Sequence, residues 1–106
     1  MGQFDVHRNP GVNRESIPFV VVVQSSRFDD FRRRVVVPLV HKSLLGPIHQ
    51  PRLNPTFTVK GTVVVLHPLE IVSVPLEKLG KPIASLASRG AQISDALDEL
   101  LTRVND

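Results

Sequence analysis

Two valine-rich runs constrain this chain more than any other feature it carries. Phe19 to Leu39 reads Phe-Val-Val-Val-Val-Gln-Ser-Ser-Arg-Phe-Asp-Asp-Phe-Arg-Arg-Arg-Val-Val-Val-Pro-Leu. β-Branched residues pack well on a pleated surface, and each run is too short to span a bilayer. The pair reads as two buried strands joined by a polar, arginine-rich connection. Alternation along the second strand sets Arg34 and Val35 on opposite faces.

The other elements follow the same logic. Gln3 to His7 is expected as a first strand, with Phe4 and Val6 on one face and Gln3 and Asp5 on the other. Asn9-Pro10-Gly11 and Asn13-Arg14-Glu15-Ser16 make the loop to strand two, about Ile17 to Gln24. Strand three runs from about Arg34 to Val40, with Pro38 acceptable only at an edge, a bulge or a strand end. Ser25 to Arg33 is too long for a tight turn and becomes an exposed loop. Pro47, Pro51, Pro55 and Gly46 limit His41 to Pro55 to at most one turn near Ser43-Leu44-Leu45.

Thr56 to Val59 and Thr62 to Leu66 form a hairpin across Lys60-Gly61, Gly61 supplying a positive φ. Ile71 to Val74 resumes the strand pattern, and Pro75 opens a single helical turn closed by Gly80. Ile93, Leu97, Leu100, Leu101 and Val104 then recur as one apolar stripe on a helix of about Ala87 to Val104, with Asp95, Asp98 and Glu99 on the wet side. Five or six strands followed by one amphipathic helix give a chain that is mainly β with a C-terminal α-helix, an antiparallel sheet curled into a small barrel.

At 106 residues one domain is expected, burying roughly 65% of the surface its unfolded chain would expose. The absence of cysteine excludes disulfides, thiolate chemistry and zinc ribbons, and suits a reducing cytoplasm. Met1-Gly2-Gln3-Phe4-Asp5-Val6-His7 has no basic head or apolar core of a secretory signal, and no membrane partner is expected. The net charge of +3 is too modest to name a partner.

Chemistry is sparse. His7, His41, His49 and His67 lie on separate segments with no ligand-like spacing, so no metal or other cofactor is expected and the four read as loop or strand-end residues. No Gly-x-Ser-x-Gly elbow and no glycine-rich phosphate loop occurs. Arg27, Arg32, Arg33 and Arg34 either cradle phosphate, meet an acidic protein surface, or simply keep a loop solvated, with Asp29 and Asp30 halving their charge. Of Phe28 and Phe31, one belongs in the core and the other can serve as a contact.

The order of certain pieces carries a resemblance. Gln3-Phe4-x-Val6, Phe19-Val20-x-Val22 with Val23-Gln24-Ser25, Arg33-Arg34-Val35-Val36-Val37-Pro38-Leu39, Leu44-Leu45, Leu53-x-Pro55, Ser73-Val74-Pro75, Gly80, Leu86 and Ile93 to Leu97 resemble the CcdB-type toxins of bacterial toxin–antitoxin modules. They keep the family's spacing except for a two-residue insertion between Asn9 and Ser16.

The resemblance implies a homodimer of small barrels of the CcdB/MazF type, residues 1–106 forming one toxin domain in the bacterial cytoplasm. It implies a non-enzymatic poison that enters the cleft of the DNA gyrase A subunits and traps cleaved DNA. It also implies a cognate antitoxin that wraps the dimer, with operator DNA reached only through that antitoxin. Carried over by position, the gyrase-binding set is Arg27, Phe28, Leu101, Thr102, Arg103 and Val104, and the antitoxin-binding set is Gln3, Phe4, Val6 and Ser25. Two departures stand out. Thr102, Arg103 and Val104 occupy the family's Trp-Gly-Ile tip, and Arg27 and Phe28 occupy its pair of isoleucines. An endoribonuclease on the same barrel, with Arg32 to Arg34 holding phosphate, and an inactive relative that only binds antitoxin and represses its operon are the alternative functions.

Overall fold

The computed structural model describes residues 2–102. Its strands are β1 (Asp5–Arg8), β2 (Phe19–Val22), β3 (Arg33–His41), β4 (Thr56–Val59), β5 (Thr62–Leu66), β6 (Val72–Pro75) and β7 (Ala84–Ser85), and a helix α1 (Gly90–Leu101) follows them. All pair antiparallel in the order β4-β5-β3-β2-β1-β7, with β6 on β3 as well, and the sheet curls into a nearly closed barrel. The strand-then-helix architecture is the expected one, with seven strands in place of five or six.

β3 is the spine. β2 covers one of its edges, while β6 pairs with Arg33 to Val36 and β5 with Leu39 to His41 along the other. Pro38 therefore lies in the middle of a central strand, against expectation. The Val23 amide donates to the Val35 carbonyl, so odd-numbered residues of β3 bond toward β2 and Pro38 faces the other edge. There it sits in the gap between β6 and β5, where no ladder bond needs its missing N–H. Its carbonyl accepts from the His67 amide at 3.1 Å.

The valine runs do not alternate in polarity because both faces of β2 and β3 are covered. Val6, Phe19, Val21, Val37, Leu39, Phe57, Val64, Leu66 and Ile93 fill the main core. Val20, Val22, Val36 and Leu79 form a second, smaller core on the opposite face. His7, paired with Val20, is buried at that face rather than at a strand end. Its Nδ1 lies 2.8 Å from the Gly80 carbonyl. A carbonyl can only accept, so Nδ1 carries the proton.

β1 begins at Asp5, two residues later than the pattern suggests, because Phe4 turns left-handed at φ 71°. Its amide donates to Val22 at 2.6 Å and its carbonyl accepts from Leu86 at 2.9 Å, which locks the kink between two strands. The Phe4 ring packs where Gly90 has no side chain: a Cβ there would come within 2.5 Å of it.

α1 is shorter than its apolar stripe. Ala87–Arg89 forms a 3₁₀ turn, the helix starts at Gly90, and its buried face is Gly90, Ile93 and Ala96. Leu97 and Leu100 are half-buried and Leu101 is 64% exposed. Glu99, expected in water, is half-buried with Oε1 3.5 Å from Arg52 Nε. Val104 lies outside the described residues.

The β4–β5 hairpin closes as expected, and both turn residues take positive φ, 52° at Lys60 and 78° at Gly61. That is a type I′ turn, which lysine enters at a cost and asparagine does not. Lys60→Asn is expected to raise the unfolding free energy by about 0.5–1 kcal/mol. A urea midpoint that stays put or falls would reject the turn as a source of strain.

Candidate functional site

The loop between β2 and β3 is built from its two ends inward. At the β2 end, Gln24 donates through Nε2 to the carbonyls of Phe28 (3.1 Å) and Arg33 (3.2 Å), and accepts from the Val35 amide at 3.0 Å. At the β3 end, Arg34 is 3% exposed. Its guanidinium donates to the carbonyls of Phe31 (2.6 Å), Arg33 (2.9 Å) and Asp29 (3.0 Å). Asp29 Oδ1 stands 3.8 Å from Arg34 Nε, too far for a hydrogen bond, so this pair is Coulombic and Nε has no hydrogen-bond partner. Arg34 is therefore no phosphate ligand. It is the peg on which the loop is hung.

Arg33 is committed as well, donating to Ser73 Oγ at 2.8 Å and to the Ser73 carbonyl at 2.9 Å. Ser25 caps the 3₁₀ turn Ser26–Phe28 by accepting from the Arg27 amide at 3.2 Å. Gln3 ties the N-terminus to the same place through the Val23 carbonyl (3.1 Å) and Ser26 Oγ (3.4 Å).

With its polar backbone drawn inward, the loop turns its rings out. Phe28 is 48% and Phe31 65% exposed, so neither joins the core, which corrects the expectation that one would. The rings meet edge to face with centroids 6.1 Å apart, and Arg27 lies over Phe28 at 5.9 Å. At this end of the barrel the buried side chain of the loop is Arg34, and both rings stand on the outside. A cleft of about 310 Å³ opens beside them, lined by Gln24, Phe28, Phe31, Arg33 and Val35.

The structure thus brings Gln3, Ser25, Arg27 and Phe28 to one end of the barrel. Val6 is fully buried and belongs to the core, not to a surface, contrary to its assignment among the antitoxin contacts. Phe4 is half-buried against Gly90. Leu101 and Thr102 lie at the far end of α1, about 16 Å along the helix axis from Gly90. The Thr102 hydroxyl and amide both donate to the Asp98 carbonyl, at 3.0 Å and 2.9 Å. Arg103 and Val104 lie outside the described residues.

A second surface escapes sequence reasoning. Val12, Val20, Val36, Pro38, Val72 and Val74 line an apolar groove of about 420 Å³ between the β1–β2 loop and β6. Arg8, Arg14 and Lys78 line a neighbouring pocket. Of its lining, Val12 and Val72 are exposed apolar residues, Val12 in a turn-rich loop where an apolar residue is out of place and Val72 in a run that the strand pattern accounts for. Among the described residues no three of His, Cys, Asp and Glu converge as metal ligands would, and no helix is long and apolar enough to cross a membrane.

The family model described as CcdB protein matches residues 3–102 of the 106-residue chain, which takes in every strand and the helix. No curated protein matches it. The ordered motifs, the branched antiparallel barrel with its terminal helix, and this match across nearly the whole sequence agree: the chain belongs to the CcdB family, toxins of toxin–antitoxin systems.

Proposed function

We propose that this protein is a homodimeric, non-enzymatic poison of DNA gyrase, active in the bacterial cytoplasm until a cognate antitoxin removes it. The observation that carries this reading is the ordered loop from Ser25 to Arg33. It sets Arg27 and Phe28, at the positions carried over as gyrase contacts, on a backbone fixed by Gln24 and Arg34. A contact surface that is ordered before binding loses little entropy on association. The apolar groove with Arg8, Arg14 and Lys78 beside it suits the acidic, partly disordered tail expected of an antitoxin.

Expression without the antitoxin tests the proposal. Cells are expected to stop growing, and the purified protein to bind the gyrase A subunit and stabilise cleaved DNA. Phe28→Ala should weaken that binding about thirtyfold, the ~2 kcal/mol of an interface anchor. Normal growth with no gyrase binding and no cleaved complex would sink the reading.

A second reading, an inactive relative kept for antitoxin binding and operon repression, draws on the helix tip. Thr102 stands where the family has its tryptophan, and Leu101 beside it is exposed. The triple change Thr102→Trp, Arg103→Gly and Val104→Ile separates the two: toxicity gained only by that variant favours the inactive relative.

A further inference from the structure

We infer that the loop from Ser25 to Arg33 is a stacking site for single-stranded nucleic acid, with Phe28 and Phe31 receiving bases and Arg27 and Arg32 the phosphates. This goes beyond the gyrase reading and does not rest on it. Three observations carry it.

The first is what the loop displays. Phe31, 65% exposed, and Phe28, 48% exposed, are large apolar groups on an otherwise polar loop, and they stand edge to face rather than closing on each other. An edge-to-face pair covers at most one face of one ring and Arg27 lies over one side of Phe28, so Phe31, the more exposed of the two, offers the main stacking face.

The second is charge. Arg27, Arg32 and Arg33 are exposed around the rings against two carboxylates, the exposed Asp30 and Asp29, whose side chain is 38% exposed and whose charge is partly offset by the buried Arg34 at 3.8 Å. Arg33 is held by Ser73 through Nε and Nη2, which fixes a cation at the mouth of the cleft. Aromatic rings interleaved with arginines along a short loop are the residue set that holds a single strand by stacking and phosphate contact.

The third is what the loop withholds. A peptide laid against it would need partners for its own amides, yet most of the loop's carbonyls already accept bonds from within the chain. Gln24 and Arg34 occupy those of Phe28, Asp29, Phe31 and Arg33, and the Leu76 amide occupies that of Arg32. A strand of bases needs only faces and cations here. An acidic peptide is the poorer occupant.

The test is fluorescence anisotropy of the purified full chain with a labelled single-stranded DNA oligonucleotide of mixed sequence, its duplex, and a glutamate-rich peptide. The single strand is expected to bind more tightly than the duplex and the peptide. The slope of log Kd against log salt should be about 1.4, from two phosphate contacts at about 0.7 each. Phe31→Ala should raise Kd for the single strand by about fivefold to a hundredfold, and Phe31→Tyr should restore it. Arg8→Ala with Arg14→Ala, at the opposite end of β2, should leave it within about twofold, since neither residue reaches the loop. Phe31 is mostly in water, so its replacement should leave the thermal melt unchanged.

Several results would overturn the proposal. They are no binding of the single strand, binding indifferent to Phe31→Ala, binding removed by the Arg8 and Arg14 changes, or tighter binding of the glutamate-rich peptide. A shift in oligomeric state on Phe31→Ala with no loss of nucleic acid would instead assign the rings to contact between copies, and also overturns it. Growth inhibition and gyrase binding are scored separately, so failure here leaves that reading untouched.

Discussion

Arg34→Met is expected to lower the unfolding free energy by about 3–5 kcal/mol, a large part of the 5–15 kcal/mol that holds a typical domain folded. Methionine keeps most of the stem's volume, so the loss comes from the guanidinium. Three loop carbonyls lose their donor at once, and Asp29 loses its counter-charge. Bonds to a charged donor contribute about 1.5–3 kcal/mol each, and removing one member of a buried ionic cluster strands the others. Lysine, a point charge without the planar fork, should recover only part of the loss. Urea unfolding of the three proteins, compared at equal m-values, measures it. A difference under about 1 kcal/mol would mean that the loop holds its shape by packing alone and that Arg34 is incidental.

Ile93→Ala should cost about 2–5 kcal/mol, the range for removing a buried branched side chain and leaving the cavity behind. The effect falls on one joint. α1 buries Gly90, Ile93 and Ala96 with Leu97 partly buried against the same core, and Ile93 is the one large side chain of the helix that is fully buried, in the cluster that holds Leu86, Phe57 and Leu66. With that anchor shortened the helix should open ahead of the sheet. Amide exchange in α1 should then accelerate while β2 and β3 stay protected. Uniform acceleration across the chain would show instead that helix and barrel unfold as one unit.

The parts of this fold that could be read from sequence are those whose cause is local. The valine runs, the Lys60-Gly61 hairpin and the existence of a terminal helix depend on residue type and short-range spacing, and they stand where the pattern puts them. The parts that could not be read depend on neighbours far along the chain. Pro38 is tolerated only because β3 changes partners beside it, and nothing near position 38 announces that. β7 is two residues long and exists because β1 supplies its ladder. Phe4 turns left-handed because Val22 and Leu86 hold it from two sides.

The candidate site divides in the same way. Its residues stood out as arginines and aromatics in a loop between strands, but their roles depended on which arginine went inside. Arg34 is in the interior while Phe28 and Phe31 are outside, and a sequence carries no mark distinguishing three consecutive arginines. The apolar groove between the β1–β2 loop and β6 is assembled from four separated segments, none unusual by itself.

The bond from Arg33 to Ser73 also decides how the barrel ends. Ser73 bonds outward from β6, away from β3, and the guanidinium fills that outward carbonyl while Pro75 two residues on has no amide to offer. A foreign strand laid along this border would find an occupied acceptor and a missing donor. The rim is finished rather than sticky, which turns aside the end-to-end templating by which β-rich chains grow into fibrils.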